Sequence, residues 1–275
     1  MSRKADIAWD QMVLPYEKGG MNIRNMYLWN KAALIKQLWN ITQRKENLWV
    51  KWVHACYVKN QEIQDVSLSI HASWSIRKIL KQQYLVENLG GWAVITQAGT
   101  YSIGRVYDLL IADKPKVSWG NIMIRNVATP SARFITWLAI QNRLATRDRI
   151  GKWLDLTDDK CVLCDGTTET VPHIMFECAY TREVRTRLFS FLPRSWDEPT
   201  FTDEIQKMNK LNKKKTDRAK LIVGIWTEMI YNIWQARNRK IFDNRVGSMK
   251  DLVDCIVFRI AGRVNSRMVD MLIAR

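Results

Sequence analysis

The sequence predicts a mainly α-helical protein, with a small irregular Cys/His loop near its middle and room for one short β-hairpin. Three observations carry that prediction. Apolar residues recur at three- and four-residue spacing through most segments. Turn punctuation at Pro15, Gly19-Gly20, Gly90-Gly91 and Thr129-Pro130 separates those segments. A mix of β-branched, aromatic and glycine residues is confined to one stretch, WAVITQAGTYSIGRVY at 92–107.

Taken in order, residues 1–22 are a lead-in. From Asn25 to Asn40 the positions Leu28, Ala32, Ile35, Leu38 and Trp39 share a helical face. A second helix should follow with Leu48, Trp49, Trp52, Val53 and Cys56 on one side; residues 60–72 read as a loop. Helix resumes from Ser73 to Leu85 with Ile76, Ile79 and Leu80 aligned. The stretch 92–107 is the candidate hairpin, and VYDLL after it reads as a short helix. Thr129-Pro130 is a helix start, with Thr as cap and Pro at the first helical position. That helix should turn Phe134, Trp137, Leu138 and Leu144 inward and Arg133, Gln141 and Arg143 outward. A shorter helix after Thr146 carries Arg147, Arg149 and Lys152. Another runs from Thr181 to Phe191, residues 193–206 read as a polar linker, and a long amphipathic helix spans IVGIWTEMIYNIWQARNRKIF. A last helix is expected from Ser248 to the C-terminus.

With 275 residues, 47% of them hydrophobic and 25% charged, the chain can build one large or two ordinary domains and is not of disordered composition. No apolar run approaches the ~20 residues of a membrane span. MSRKADIAWD has no apolar stretch behind its basic residues, so it does not read as a secretory signal. An intracellular setting, nucleus or cytoplasm, is therefore the expectation, and there clustered cysteines bind metal more often than they pair. Forty-three Lys and Arg against 27 Asp and Glu give a formal charge of +16. Such a field attracts polyanions, nucleic acid foremost, although a basic protein without a specific acidic partner remains the plainer alternative. The 13 Trp lie mostly at helical spacing among aliphatic residues, which favours core packing over base stacking.

The most specific signal is CVLCDGTTETVPHIMFEC, residues 161–178. Every Cys and His between Ala72 and Asp254 falls inside it, in the spacing Cys161-x2-Cys164-x8-His173-x4-Cys178. Cys-x2-Cys sets two thiolates on one tight turn, and Asp165-Gly166 reverses the chain behind it. Four N/S donors fill a tetrahedral Zn²⁺ shell, leaving no position for an activated water, so one structural ion is expected. Pro172 can open a helical turn from His173. Residues five apart point away from each other on a straight helix, so a break near Cys178 is required. Cys56 and Cys255 stand alone and read as ordinary buried thiols.

FITWLAIQNRLATRDRIGKW followed by CVLCDGTTETVPHIMFECAYTREV resembles the zinc-binding domain at the C-terminal end of plant non-LTR (LINE-type) retrotransposon reverse transcriptases. Trp137, Leu138, Arg143, Leu144, Thr146, Asp148, Arg149, Glu169, Thr170 and the four metal candidates carry the pattern. WDQMVLPYEKGGMNIRNMYLWNKAALIKQLWNI looks like the stretch beyond the polymerase thumb, and IYNIWQARNRKIF resembles a Trp-x-x-Arg-Asn helix of those proteins. The resemblance implies three segments: 1–90 after the thumb, 91–192 the zinc-binding domain, and 193–275 a basic linker with C-terminal helices. It further implies a truncated element's non-catalytic tail. A polymerase would need a Tyr/Phe-x-Asp-Asp turn, and Asp158-Asp159 in LTDDKC reads instead as a solvated loop. Endonuclease and RNase H signatures are likewise missing, so no enzymatic activity is expected. With only His54 and His71 outside the window, general bases are few, and His54 shares a packed helix.

The favoured function is nucleic-acid binding, RNA or DNA, beside the upstream polymerase domain of such an element, with no membrane and no small-molecule substrate. Candidate phosphate contacts are Arg143, Arg147, Arg149, Lys152, Arg182, Arg185, Lys213, Lys214 and Lys215. The alternative is a zinc-stabilised structural or protein-interaction module without nucleic-acid binding.

Overall fold

The computed structural model describes residues 7–59, 61–66, 72–111, 113–155, 158–190 and 199–273; His71 lies outside them. The protein is mostly helical, and among the described residues extended pairing is limited to two isolated bridges. Packing divides the chain into two units, Met1–Asn22 with Pro115–Arg275, and Ile23–Lys114. These units follow packing and not chain order, so they cut the chain differently from 1–90, 91–192 and 193–275.

A single helical turn, α1 (Trp9–Met12), belongs to the larger unit, and the chain then enters the smaller one. There Asn25 caps α2 (Met26–Thr42) by accepting from the Tyr27 and Leu28 amides. As its spacing foretells, α2 buries Ala32, Ile35, Leu38 and Trp39. The helix α3 (Leu48–Val53), capped by Asn47, runs into a π turn at His54–Val58. The expected face is corrected here: Val50, Val53 and Val58 are buried, whereas Leu48 is 85% exposed and Trp52 46%. The wider π turn re-phases the strip, which leaves Cys56 exposed and not the buried thiol expected. His54 Nε2 lies 2.9 Å from the Ile41 carbonyl, so its ring is held within the fold.

After Ser73, α4 (Trp74–Leu80) and α5 (Gln83–Asn88) bury Ile76, Ile79, Leu80 and Val86. The hairpin at 92–107 does not form. Instead α6 (Trp92–Ile95) and α7 (Ile103–Leu110) flank a tight turn closed by a Gln97–Thr100 bridge. Left-handed Ala98 and Gly99 make the two-residue reversal a hairpin uses, but α6 ends only at Ile95 and Ser102 already caps the following helix, so no chain is left on either side for a ladder to extend. Tyr101 donates to the Ala32 carbonyl at 2.6 Å and Tyr107 accepts from the Asn25 amide at 2.8 Å, which fixes α7 on α2.

In the larger unit, Thr129 caps α8 (Pro130–Ile140) as its sequence requires. Trp137 is fully buried and donates its indole N–H to the Gly19 carbonyl at 2.9 Å. Leu138 and Leu144 also turn inward, but Phe134 is 37% exposed and stacks on Trp137 from the rim. A short helix, α9 (Arg147–Ile150), precedes the Cys/His loop, and α10 (Ala179–Leu188) follows it. The expected linker at 193–206 is corrected in its second half: α11 (Phe201–Lys213) starts there, capped by Thr200 with Asp203 and Glu204 in its first turn. The first half of that linker, through residue 198, lies outside the described residues.

The centre is α12 (Asp217–Asp243). Residues 221–230 are buried on every side, so this helix is a core rod in its middle and amphipathic only toward its ends. Around it pack α8, α10 and α11, together with α13 (Met249–Ala261) and α14 (Ser266–Ile273). The single C-terminal helix expected from Ser248 is therefore two, parted after Ala261. Cys255 on α13 is exposed, again contrary to the buried thiol expected.

Candidate metal centre

The Cys/His loop is shaped by its backbone before any ligand is considered. A Lys160–Thr168 bridge brings its two ends together, and the Cys161 amide donates to the Thr167 carbonyl at 2.9 Å. The Asp165 amide donates to the Cys161 carbonyl at 2.8 Å, and Asp165 takes the left-handed φ of +52° that an aspartate tolerates. The resulting knuckle projects Cys161 and Cys164 the same way.

His173 and Cys178 arrive from a π turn, His173–Glu177. The Cys178 amide donates to the His173 carbonyl at 2.7 Å, and Cys178 itself leaves the helical region at φ −58°, ψ 134°. On a straight α-helix a +5 residue lies about 140° around the axis. The π turn and the break at Cys178 remove that divergence, and Cys178 then opens α10.

The four donor atoms lie within 4.8 Å of one another. Cys161 Sγ and Cys178 Sγ are 3.9 Å apart, and Cys164 Sγ is 3.3 Å from His173 Nε2. A tetrahedron with Zn–S of ~2.3 Å has S–S edges of ~3.8 Å, close to the 3.9 Å between Cys161 and Cys178, so the cluster has the size of a zinc site. Cys161 and Cys178 are fully buried, and His173 is nearly so. The Leu163 and Cys164 amides point at Cys161 sulfur, and those of Tyr180 and Thr181 at Cys178 sulfur, as thiolates require.

Protonation agrees. Hydrogen bonding to Cys178, then burial, pushes the Cys161 thiol up. The same bond holds Cys178 below its ordinary value against an opposing burial effect. Burial lowers His173, opposed by the Glu177 and Glu169 carboxylates, which keeps the imidazole neutral. Its Nδ1 faces Thr167 Oγ1 at 3.0 Å and the Glu177 carboxylate at 3.9 Å, fixing the tautomer that turns Nε2 to the cluster.

One residue supports the loop from behind. Glu169 is completely buried, and its Oε1 accepts from the Arg147 amide at 3.0 Å and from Arg237 of α12 at 2.5 and 3.1 Å. Glu169 and Arg237 both stand in the sequence patterns noted above, yet nothing in their spacing of 68 residues announces the pairing.

The candidate phosphate contacts fall into different settings. Arg147 binds Asp158 and the Lys160 carbonyl, and it shares a cavity with Lys152 and the carboxylates of Asp148, Asp155, Asp158 and Asp159. Arg149 donates to the Leu144 carbonyl. Arg185 lies over the Phe176 ring, 3.7 Å from Glu204. Arg143, Arg182, Lys213, Lys214 and Lys215 are exposed. Asp158 and Asp159 are exposed loop residues, as expected.

The fold and cluster define a helical Cys3His zinc-binding segment. Residues 101–184, from just before α7 into α10, match the family model described as zinc-binding in reverse transcriptase. All four cluster residues lie inside the match, and that family concerns zinc binding and not polymerase catalysis. No curated protein and no solved structure matches the chain. Among the described residues no helix is long and apolar enough to cross a membrane.

Proposed function

We propose that this chain is the non-catalytic, zinc-stabilised nucleic-acid-binding tail of a retrotransposon reverse-transcriptase-like protein of the plant LINE type. The carrying observation is a Cys3His cluster with zinc-compatible spacing, set inside the zinc-binding-in-reverse-transcriptase match. The ion holds the knuckle to the start of α10 and performs no chemistry, because all four positions of its shell are protein atoms. A net charge of +16 supports RNA or DNA as partner, beside an upstream polymerase domain. Segment 91–192 is the proposed zinc-binding module. Arg143, Arg182 and Lys213 to Lys215 are the favoured phosphate partners because they are exposed, whereas Arg147, Arg149 and Arg185 are engaged within the fold and Lys152, though exposed, stands among four carboxylates.

A second reading has its own observation. Trp153 and Leu154, just before the knuckle, are 83% and 61% exposed, an apolar pair that suits a protein partner. Titrating labelled single- and double-stranded oligonucleotides at increasing salt separates the two. Nucleic-acid binding predicts affinity that falls linearly with salt on logarithmic axes. Absence of binding at low salt, with a partner retained on the protein after nuclease treatment, would leave the interaction reading standing.

A further inference from the structure

A cavity of about 250 Å³ lies between the loop at 121–125, the end of α11 and the first turn of α12. Arg125, Lys213, Lys215 and Lys220 line it, together with Asn121 and Asn212. Among the described residues no carboxylate lines it; the nearest compensation is Asp217, 3.3 Å from Lys220 Nζ. Four cations around one concavity, with a single carboxylate beside them, make a positive potential that attracts an anion.

The wall is built and not incidental. Asn209 and Asn212, both nearly buried on α11, pin the loop: Asn209 Oδ1 accepts from the Asn121 amide at 3.0 Å. Asn212 Nδ2 donates to the Asn121 and Ile124 carbonyls at 2.5 and 2.9 Å. Arg125 and Lys215 both line the cavity from left-handed backbone, at φ +52° and +57°. Long cationic side chains are unusual there, where glycine or asparagine is the unstrained choice. At ~30 Å³ per water the cavity has the space of roughly eight waters, ample for a phosphate group.

We infer that this cavity is a phosphate-binding site that seats a backbone phosphate of the bound polynucleotide. The inference rests on the nucleic-acid reading above and adds to it a defined seat, with one residue, Arg125, that lies outside the basic run from Lys207 to Lys220.

The test uses the full, zinc-loaded chain and the double variant Arg125→Asn/Lys215→Asn, since asparagine accepts both left-handed positions. A charge-matched control, Lys250→Gln/Arg267→Gln, removes two exposed cations elsewhere. On a labelled single strand the cavity variant should bind roughly tenfold more weakly, while the control changes far less. Its salt slope should fall by about 0.7 for each phosphate that is no longer neutralised. A second arm follows inorganic phosphate by its effect on the thermal midpoint, which should rise for wild type and control but not for the cavity variant. Equal behaviour of cavity variant and control in both arms overturns the site. A phosphate shift confined to wild type and control, with no polynucleotide bound by any chain, keeps the cavity and removes the nucleic-acid reading instead.

Discussion

Arg237, in the last third of α12, places its guanidinium on Glu169 behind the metal loop, with Nη2 and Nε at 2.5 and 3.1 Å from the same carboxylate oxygen. Arg237 is 3% exposed and Glu169 not at all, and the second Glu169 oxygen has no hydrogen-bond partner. The pair joins the knuckle, α9 and the central helix through one buried carboxylate. Its desolvation is only partly offset, so it is a device for placing the loop more than a source of net stability.

Removing one partner should therefore cost far more than removing both. Arg237→Met leaves a buried carboxylate unpaired and is expected to destabilise by about 3–5 kcal/mol. The double variant Glu169→Gln/Arg237→Met should lose clearly less than the sum of the single losses, read from denaturant midpoints. Additive losses would show that the pair is not coupled.

Metal content follows from the four donors. Native mass spectrometry should find one zinc per chain, lost in Cys164→Ser, with unfolding that becomes less cooperative in the larger unit. A metal-free wild type as stable as the loaded protein would sink the structural role of the ion.

The pH dependence has a definite sign. Burial holds His173 below its ordinary value near 6.5, so the unfolded chain binds the proton more readily than the folded one. Its contribution is fully present above that value and is lost as pH falls from about 6.5 toward the lower folded value. Zinc retention should decline over the same window and further below it, as protons compete for the thiolates. Retention that stays flat from about pH 8 to about pH 5 contradicts this.

Helix propensity alone would favour alanine over Gly224 in α12 by about 1 kcal/mol. A Cβ there would stand 2.5 Å from Val127 Cγ2 and 3.2 Å from Ile260 Cδ1. Gly224→Ala is accordingly expected to destabilise by about 1–3 kcal/mol, visible as a lower thermal midpoint. A raised midpoint would mean that the α12 neighbours yield easily.

Much of this protein was readable locally. The caps at Asn25, Ser73 and Thr129, the strip Ala32–Ile35–Leu38–Trp39, and the spacing that assembles Cys161, Cys164, His173 and Cys178 are short-range properties. What failed was phase. The strip from Leu48 to Cys56 follows 3.6 residues per turn in the sequence, but α3 packs its Val50–Val53 side, which leaves Leu48 and Trp52 exposed, and the π turn from His54 then buries Val58 in place of Cys56. The stretch 92–107 has strand-like composition and a hairpin-type turn at Ala98-Gly99, yet α6 before the turn and the Ser102 cap after it confine pairing to one bridge.

By itself the sequence determined the helical class and the four metal donors, because caps, periodicity and ligand spacing act over a few residues of chain. Tertiary structure alone decided that Glu169 meets Arg237, that Arg147 is engaged by Asp158 while Lys213 and Lys215 are exposed, and that Arg125 joins those lysines around one cavity. These relations join residues 11 to 90 positions apart. The packing of α11 and α12 with the loops around them, and the fold of the segment between α9 and the knuckle, bring such residues within reach, and no local pattern encodes that choice of partner.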